Sequence, residues 1–198
     1  MGPAADFSRW RKLPPAMLIL AIALQLAVLF FHQVTTIFDL FPFNGARFSA
    51  RRERFLEAGF NGALMAPGPL GFILGISSLM RFGTAFYFIL FVGELATWWV
   101  PYFFGASPKW AEIYARVQGR TITIVPRRGA NPAPNLEHLI LMALTLATAL
   151  ATLAAYRSLA GASLRGWWVA ALVALGVGLV VVYQCCLMGR KKPGTPAA

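Results

Sequence analysis

Long apolar runs alternate with short polar segments along this chain, at a spacing that suits helices crossing a lipid bilayer. About 20 apolar residues cross the hydrocarbon as a helix. Runs of that kind fall at residues 15–41, 61–80, 84–105, 136–157 and 166–189. Backbone polar groups must be satisfied internally in lipid, so helices are the default. The alternating ten-residue strands of a membrane barrel are missing. The pattern predicts an all-α fold: a polytopic membrane helix bundle of four or five spans over residues 14–189. Tails are expected at 1–13 and 190–198.

The polar segments refine this picture. Pro14-Pro15 opens the first span, where a missing N–H costs nothing, and Asp39 and Pro42 close it. Residues 46–58 read as a short amphipathic interfacial helix, with Phe48, Phe55 and Leu56 on one face. Arg47, Arg51 and Arg54 on its other face suit lipid phosphates. Residues 61–80 carry no charge but contain Pro67 and Pro69, which fits either a kinked span or a re-entrant segment. Residues 81–84 read as a tight turn.

Residues 106–135 form a small polar cap. In it, Ser107-Pro108 starts a helix carrying Trp110, Ile113, Tyr114 and Val117, which Gly119 ends. Residues 121–125 alternate like a short strand, and Arg127-Arg128-Gly129 turns the chain. Trp110, Tyr114, Arg127 and Arg128 are the cap's candidate partner contacts. Asn135 is placed to cap the next span, whose Thr145, Thr148 and Thr152 mark a close helix contact.

Composition agrees with a membrane setting: 198 residues, 58% hydrophobic and 13% charged, with a mean hydropathy of +0.63. The net charge of +11 is carried mostly by Arg outside the apolar runs. This is read as topology and contact with anionic headgroups. No aromatic-interleaved basic module points to nucleic acid. A five-span division obeys the positive-inside rule better than a four-span one and leaves the cap and tail in the cytoplasm. The basic start is not a cleavable signal, because the apolar run behind it is too long. Cys185 and Cys186 are adjacent, read as a packed or lipid-facing thiol pair with acylation as the alternative. Abundant Ala, Gly, Pro and Arg suggest a bacterial cytoplasmic (inner) membrane.

Ionisable side chains at lipid depth are functional candidates. His32, Asp39 and Glu94 are of that kind. His32 and Glu94 are the candidate catalytic pair, as a proton relay or ligand clamp if their helices face one cavity. Each has a structural alternative: Asp39 reaching headgroup water, His32 tying two helices, Glu94 pairing with Arg81. Glu137-His138 is a possible dyad, although helix capping accounts for Glu137. Trp98 and Trp99 read as an interfacial belt. No metal site and no cofactor is implied by motif. A bis-histidyl haem would need His32 and His138, which these spans put at different depths.

A His and an Asp on the first helix, with a Glu and a Pro on a later one (Glu94, Pro101), resemble the EXPERA group of sterol isomerases and sigma-2-type proteins. The resemblance covers scattered positions. The Pro-rich run at 61–80 and the polar cap depart from that layout, so the assignment is not adopted.

Without a phosphate loop, HExxH, nucleophile elbow or CxxC pair, the sequence leans away from an enzyme. Its first reading is a non-catalytic accessory or stabilising subunit of a larger membrane complex, with other subunits and lipids as partners. The second is a lipid- or sterol-handling enzyme or binding protein with an intramembrane His/Glu pocket. A small proton-coupled transporter is the third.

Overall fold

The computed structural model describes residues 15–160, and every regular element among them is helical. Three helices are long and apolar enough to cross a membrane: α1 (Pro15–Ile37), α4 (Ser77–Phe104) and α6 (Leu136–Ala160, apolar through Leu159). Between them lie α2 (Arg51–Met65), α3 (Pro67–Leu74) and α5 (Pro108–Val117), with a 3-10 turn at Ala46–Phe48. The expected span at 166–189, the adjacent cysteines and both tails lie outside the described residues.

α1 buries a narrow stripe, Ala21, Gln25, Val28, His32 and Thr35, spaced at three or four residues. Its other faces, with Ile19, Leu20 and Phe30, are exposed, as suits a helix in lipid. The helix ends at Ile37, earlier than the apolar run suggests. Its last carbonyls find side-chain donors. The Asn44 amide donates to the carbonyls of Thr35 (2.7 Å) and Phe38 (2.8 Å), and its Oδ1 accepts the Leu40 N–H at 2.9 Å. The Arg54 guanidinium donates to the Ile37 carbonyl at 2.7 Å.

The helix expected at 46–58 is divided and displaced. After the 3-10 turn, α2 begins at Arg51, where Glu53 accepts the Ala50 N–H at 3.2 Å. It then runs antiparallel beside α1: Arg54 meets Ile37, Ala58 meets Gln33 and Asn61 meets His32. Residues 61–80 are not one span. α2 stops at Met65, α3 starts at Pro67, and the chain reverses at Gly75, whose φ of 74° favours glycine. The tight turn expected at 81–84 is instead helical, inside α4. The reversal brings backbones together. A Cβ on Gly68 would lie 2.3 Å from Gln25 Oε1, and one on Gly83 would lie 2.5 Å from Gly68 Cα. Small residues permit this approach in lipid.

Two clusters form the core. Ala21, Phe72, Met80, Ala155, Tyr156 and Leu159 fill one end. Val28, Met65, Tyr87, Leu141 and Ala149 fill the middle. The expected threonine face of α6 is buried at Thr145, Thr148 and Thr152. The far end gathers the C-termini of α1 and α4, the N-termini of α2 and α6, and the cap. α5 forms as expected, with Ser107 accepting the Trp110 N–H at 3.3 Å. Residues 121–125 make no strand. Two hydrogen bonds of Ile122 pin this extended segment, its N–H to Pro42 (2.9 Å) and its carbonyl from Leu136 N–H (2.8 Å).

Candidate polar cavity beneath the cap

At the cap end, α1, α2 and α6 enclose a cavity of about 90 Å³ roofed by Val117 and Gln118 of the cap and by residues 44–46. α1 contributes His32, Thr35 and Thr36; α2 contributes Arg54 and Glu57; α6 contributes Glu137, His138 and Leu141. The density of ionisable groups is unusual for a bundle whose long helices suit hydrocarbon.

Local chain geometry explains each placement. Asn135 precedes α6 and accepts the His138 N–H at 3.0 Å, so the helix opens with Glu137 and His138 in its first turn. The Asn135 amide donates to Gln118 Oε1 (2.8 Å) and Thr121 Oγ1 (2.9 Å). Its Oδ1 faces His138 Nδ1 at 2.5 Å. His138 lies tilted on the Trp98 ring, with centroids 3.9 Å apart, and Trp110 packs edge-on against the same indole. The Glu137 carboxylate sits 3.9 Å from His138 Nδ1. His32, across the cavity, holds Asn61 at 3.2 Å through Nε2 and Thr36 at 3.4 Å through Nδ1.

Glu57 is the exposed residue of the lining and marks the mouth. Its neighbours on α2, Leu56 and Phe60, are 61% and 67% exposed, so the mouth opens beside apolar side chains.

The structure separates the expected catalytic pair. His32 lines this cavity, whereas Glu94 is buried between α4 and α6, where its Oε1 accepts from Thr145 at 3.0 Å. Glu94 Oε2 has no hydrogen-bond partner among the described residues, and Arg81 does not pair with Glu94. The partners His32 does share a cavity with are Glu137 and His138. The two histidines therefore do not lie at separate levels, because α1 ends at Ile37 and the cap folds back over it. A cavity this small has no room for a haem macrocycle.

The basic and aromatic candidates also divide. Arg47 donates to both Asp39 oxygens (3.1 and 3.0 Å) and covers the Phe41 ring. The Arg47 hydrogen bond holds the Asp39 carboxyl below its ordinary value. Arg54 turns inward to the cavity, while Arg51 stays exposed beside Phe55. Trp98 is 4% exposed and belongs to the cap core rather than to a surface belt; Trp99 is half-buried among Tyr102 and Phe103. Trp110 and Tyr114 both pack on Trp98. Arg127 and Arg128 are exposed around the expected turn, where Gly129 has φ 60° and Arg128 lies over Phe103.

The sequence marks Asn135 as a helix cap, which it is, but gives no signal for Asn44, Glu57 or Asn61. No group of three or more His, Cys, Asp or Glu among the described residues is arranged to hold a metal ion. Comparison with protein-family models, curated proteins and solved structures finds no match for this chain.

Proposed function

We propose that this chain is an integral membrane protein that binds the polar head of a membrane amphiphile beneath the cap, as a lipid- or sterol-handling binding protein or enzyme. One observation carries the reading: two histidines, two glutamates and an arginine line a single cavity whose mouth opens beside exposed apolar side chains. Such a site serves a molecule with its head in the protein and its tail in lipid. The buried Glu and His also suit proton transfer, which keeps an enzymatic role within the proposal.

The setting proposed is a bacterial cytoplasmic membrane. α2 and α3 together retrace α1, and we read them as a fourth, broken crossing. Among the described residues, the basic ones at 47–54 and 109–128 gather at the cap end, against Arg81 and Arg157 at the other, which favours the cytoplasm for the cap end. The exposed Arg51 and Arg52 there suit anionic headgroups.

Lipids co-extracted with the protein test the binding reading. Mass spectrometry of gently solubilised wild type is expected to show one class enriched over the bulk membrane. Glu137→Gln and His32→Ala should lower that enrichment about tenfold, a loss of 1.4 kcal/mol. Bulk-like lipid in all three proteins would count against it. The accessory-subunit reading retains support from Phe55, Leu56 and Phe60, exposed on α2 where a neighbouring subunit could sit. A native gel in mild detergent separates the two: a stable larger assembly favours the subunit role, migration as a single chain the binding role.

A further inference from the structure

The polar groups around the cavity differ in whether their hydrogen-bonding capacity is already spent, and this bears on the chemistry of the ligand. Asn135 fixes the state of His138. Both hydrogens of its amide are committed to oxygen acceptors, Gln118 Oε1 and Thr121 Oγ1. Its Oδ1 is therefore the atom that meets His138, and an amide oxygen only accepts. His138 must carry its proton on Nδ1 to complete that contact. Nε2 is then a bare lone pair, and it has no partner among the described residues.

Most other buried groups around the cavity are occupied; the exception is Arg54 Nε, which is buried without a hydrogen-bond partner among the described residues. Asn44 uses both hydrogens and its oxygen on the backbone around the end of α1. The Thr35 hydroxyl donates to the His32 carbonyl at 3.4 Å. Both nitrogens of His32 have partners. What remains on the α6 wall is His138 Nε2, an acceptor without a partner among the described residues, and the Glu137 carboxyl, which Thr35 and Asn135 approach but do not fully occupy. Glu57 adds a second carboxylate at the mouth. The strongest donor left is the rest of Arg54, three positions from Glu57 on α2, with one nitrogen already on Ile37. Gln118 and Ser49 are only half-buried, within reach of water. Acceptors at Glu137, Glu57 and His138 Nε2 thus outnumber the one guanidinium donor, Arg54.

Resting on the amphiphile-binding reading above, we infer that the cavity prefers a head that donates hydrogen bonds, a hydroxyl or an ammonium, over one that only accepts them. The donor reaches Glu137 and His138 Nε2, while the tail leaves past Leu56 and Phe60. An acceptor-only head would leave His138 Nε2 unpaired on burial, and unpaired buried polar groups are what make such sites selective.

Four single-chain probes of equal length test this: a fatty alcohol, a fatty amine, the methyl ether of the alcohol, and an alkyl phosphate. Adducts are counted by native mass spectrometry on the full chain released from phosphatidylcholine nanodiscs. The alcohol or the amine should saturate at a concentration at least about tenfold below the ether and the phosphate. Glu137→Gln, nearly isosteric, should remove an amine preference and spare much of an alcohol preference. His138→Phe should weaken both, with its melting temperature checked to confirm folding. Equal binding of all four heads, or tightest binding of the phosphate, overturns the donor inference while leaving the cavity as a binding site. Absence of saturable binding by any head overturns the amphiphile-binding reading as well. The wild-type series decides the question even if a variant fails to fold.

Discussion

Asn44 and Asn135 do the organising at the scale of single residues. Each is buried with its oxygen and both amide hydrogens engaged, Asn44 on the end of α1 and Asn135 on the start of α6 and the cap. Between them they set the cavity's two walls. Asp39 gives a testable case. It is held below its ordinary value by Arg47, so the fold is favoured above that ordinary value and loses the contribution as pH falls through the lowered one. The melting temperature of wild type minus that of Asp39→Asn should be positive at pH 7 and shrink as the pH is lowered below the ordinary carboxylate range. A difference that stays constant over that range would contradict the assignment. His32 and Glu94 were legible in the sequence because charge at lipid depth is conspicuous. That they serve separate places was not legible, since helix facing depends on contacts such as Thr145 with Glu94.

At the scale of elements, the close contact of α3 with α4 governs how tightly the bundle packs. Gly68→Ala drives a methyl into Gln25 and toward Gly83. Overpacking of this kind costs about 1–3 kcal/mol. Gly59→Ala in α2 and Gly93→Ala in α4 meet nothing within 4 Å. These should be neutral or stabilising by up to about 1 kcal/mol through helix propensity. Thermal unfolding of the three variants in one detergent checks the order, and equal melting temperatures for all three would refute the packing argument. The same region shows where hydropathy misleads. Residues 61–80 form one uncharged run, yet hold the end of α2, all of α3, a reversal at Gly75 and the start of α4. A hydropathy average cannot see a turn made of apolar residues. α5 and the Asn135 cap were legible because Ser107, Pro108 and Asn135 carry local chemistry. The expected strand failed because residues 121–125 have no neighbouring strand to pair with among the described residues; Ile122 bonds to Pro42 and Leu136 instead.

For the whole molecule, the charge distribution and the cavity share one end. A single cysteine at position 112 on the exposed face of α5, in a chain with Cys185 and Cys186 replaced, should react with an impermeant maleimide only after cells are opened. Labelling in intact cells would invert the proposed orientation. The membrane class of the fold was readable from the apolar runs alone, since α1, α4 and α6 each appear there nearly whole. The cavity was not, because it is assembled by long-range contacts: Arg54 with Ile37, Asn61 with His32, Ile122 with Pro42.

The claim that an amphiphile's head occupies the space beneath the cap is tested most directly by chemical protection of Glu137. Native membranes and delipidated protein are treated with an apolar carbodiimide, and modified carboxyls are mapped by mass spectrometry, with Glu94 between α4 and α6 as an internal reference. Glu137 should be protected in native membranes and react once lipid is stripped, with Glu94 unchanged between the two. Equal modification of Glu137 before and after stripping would contradict the account.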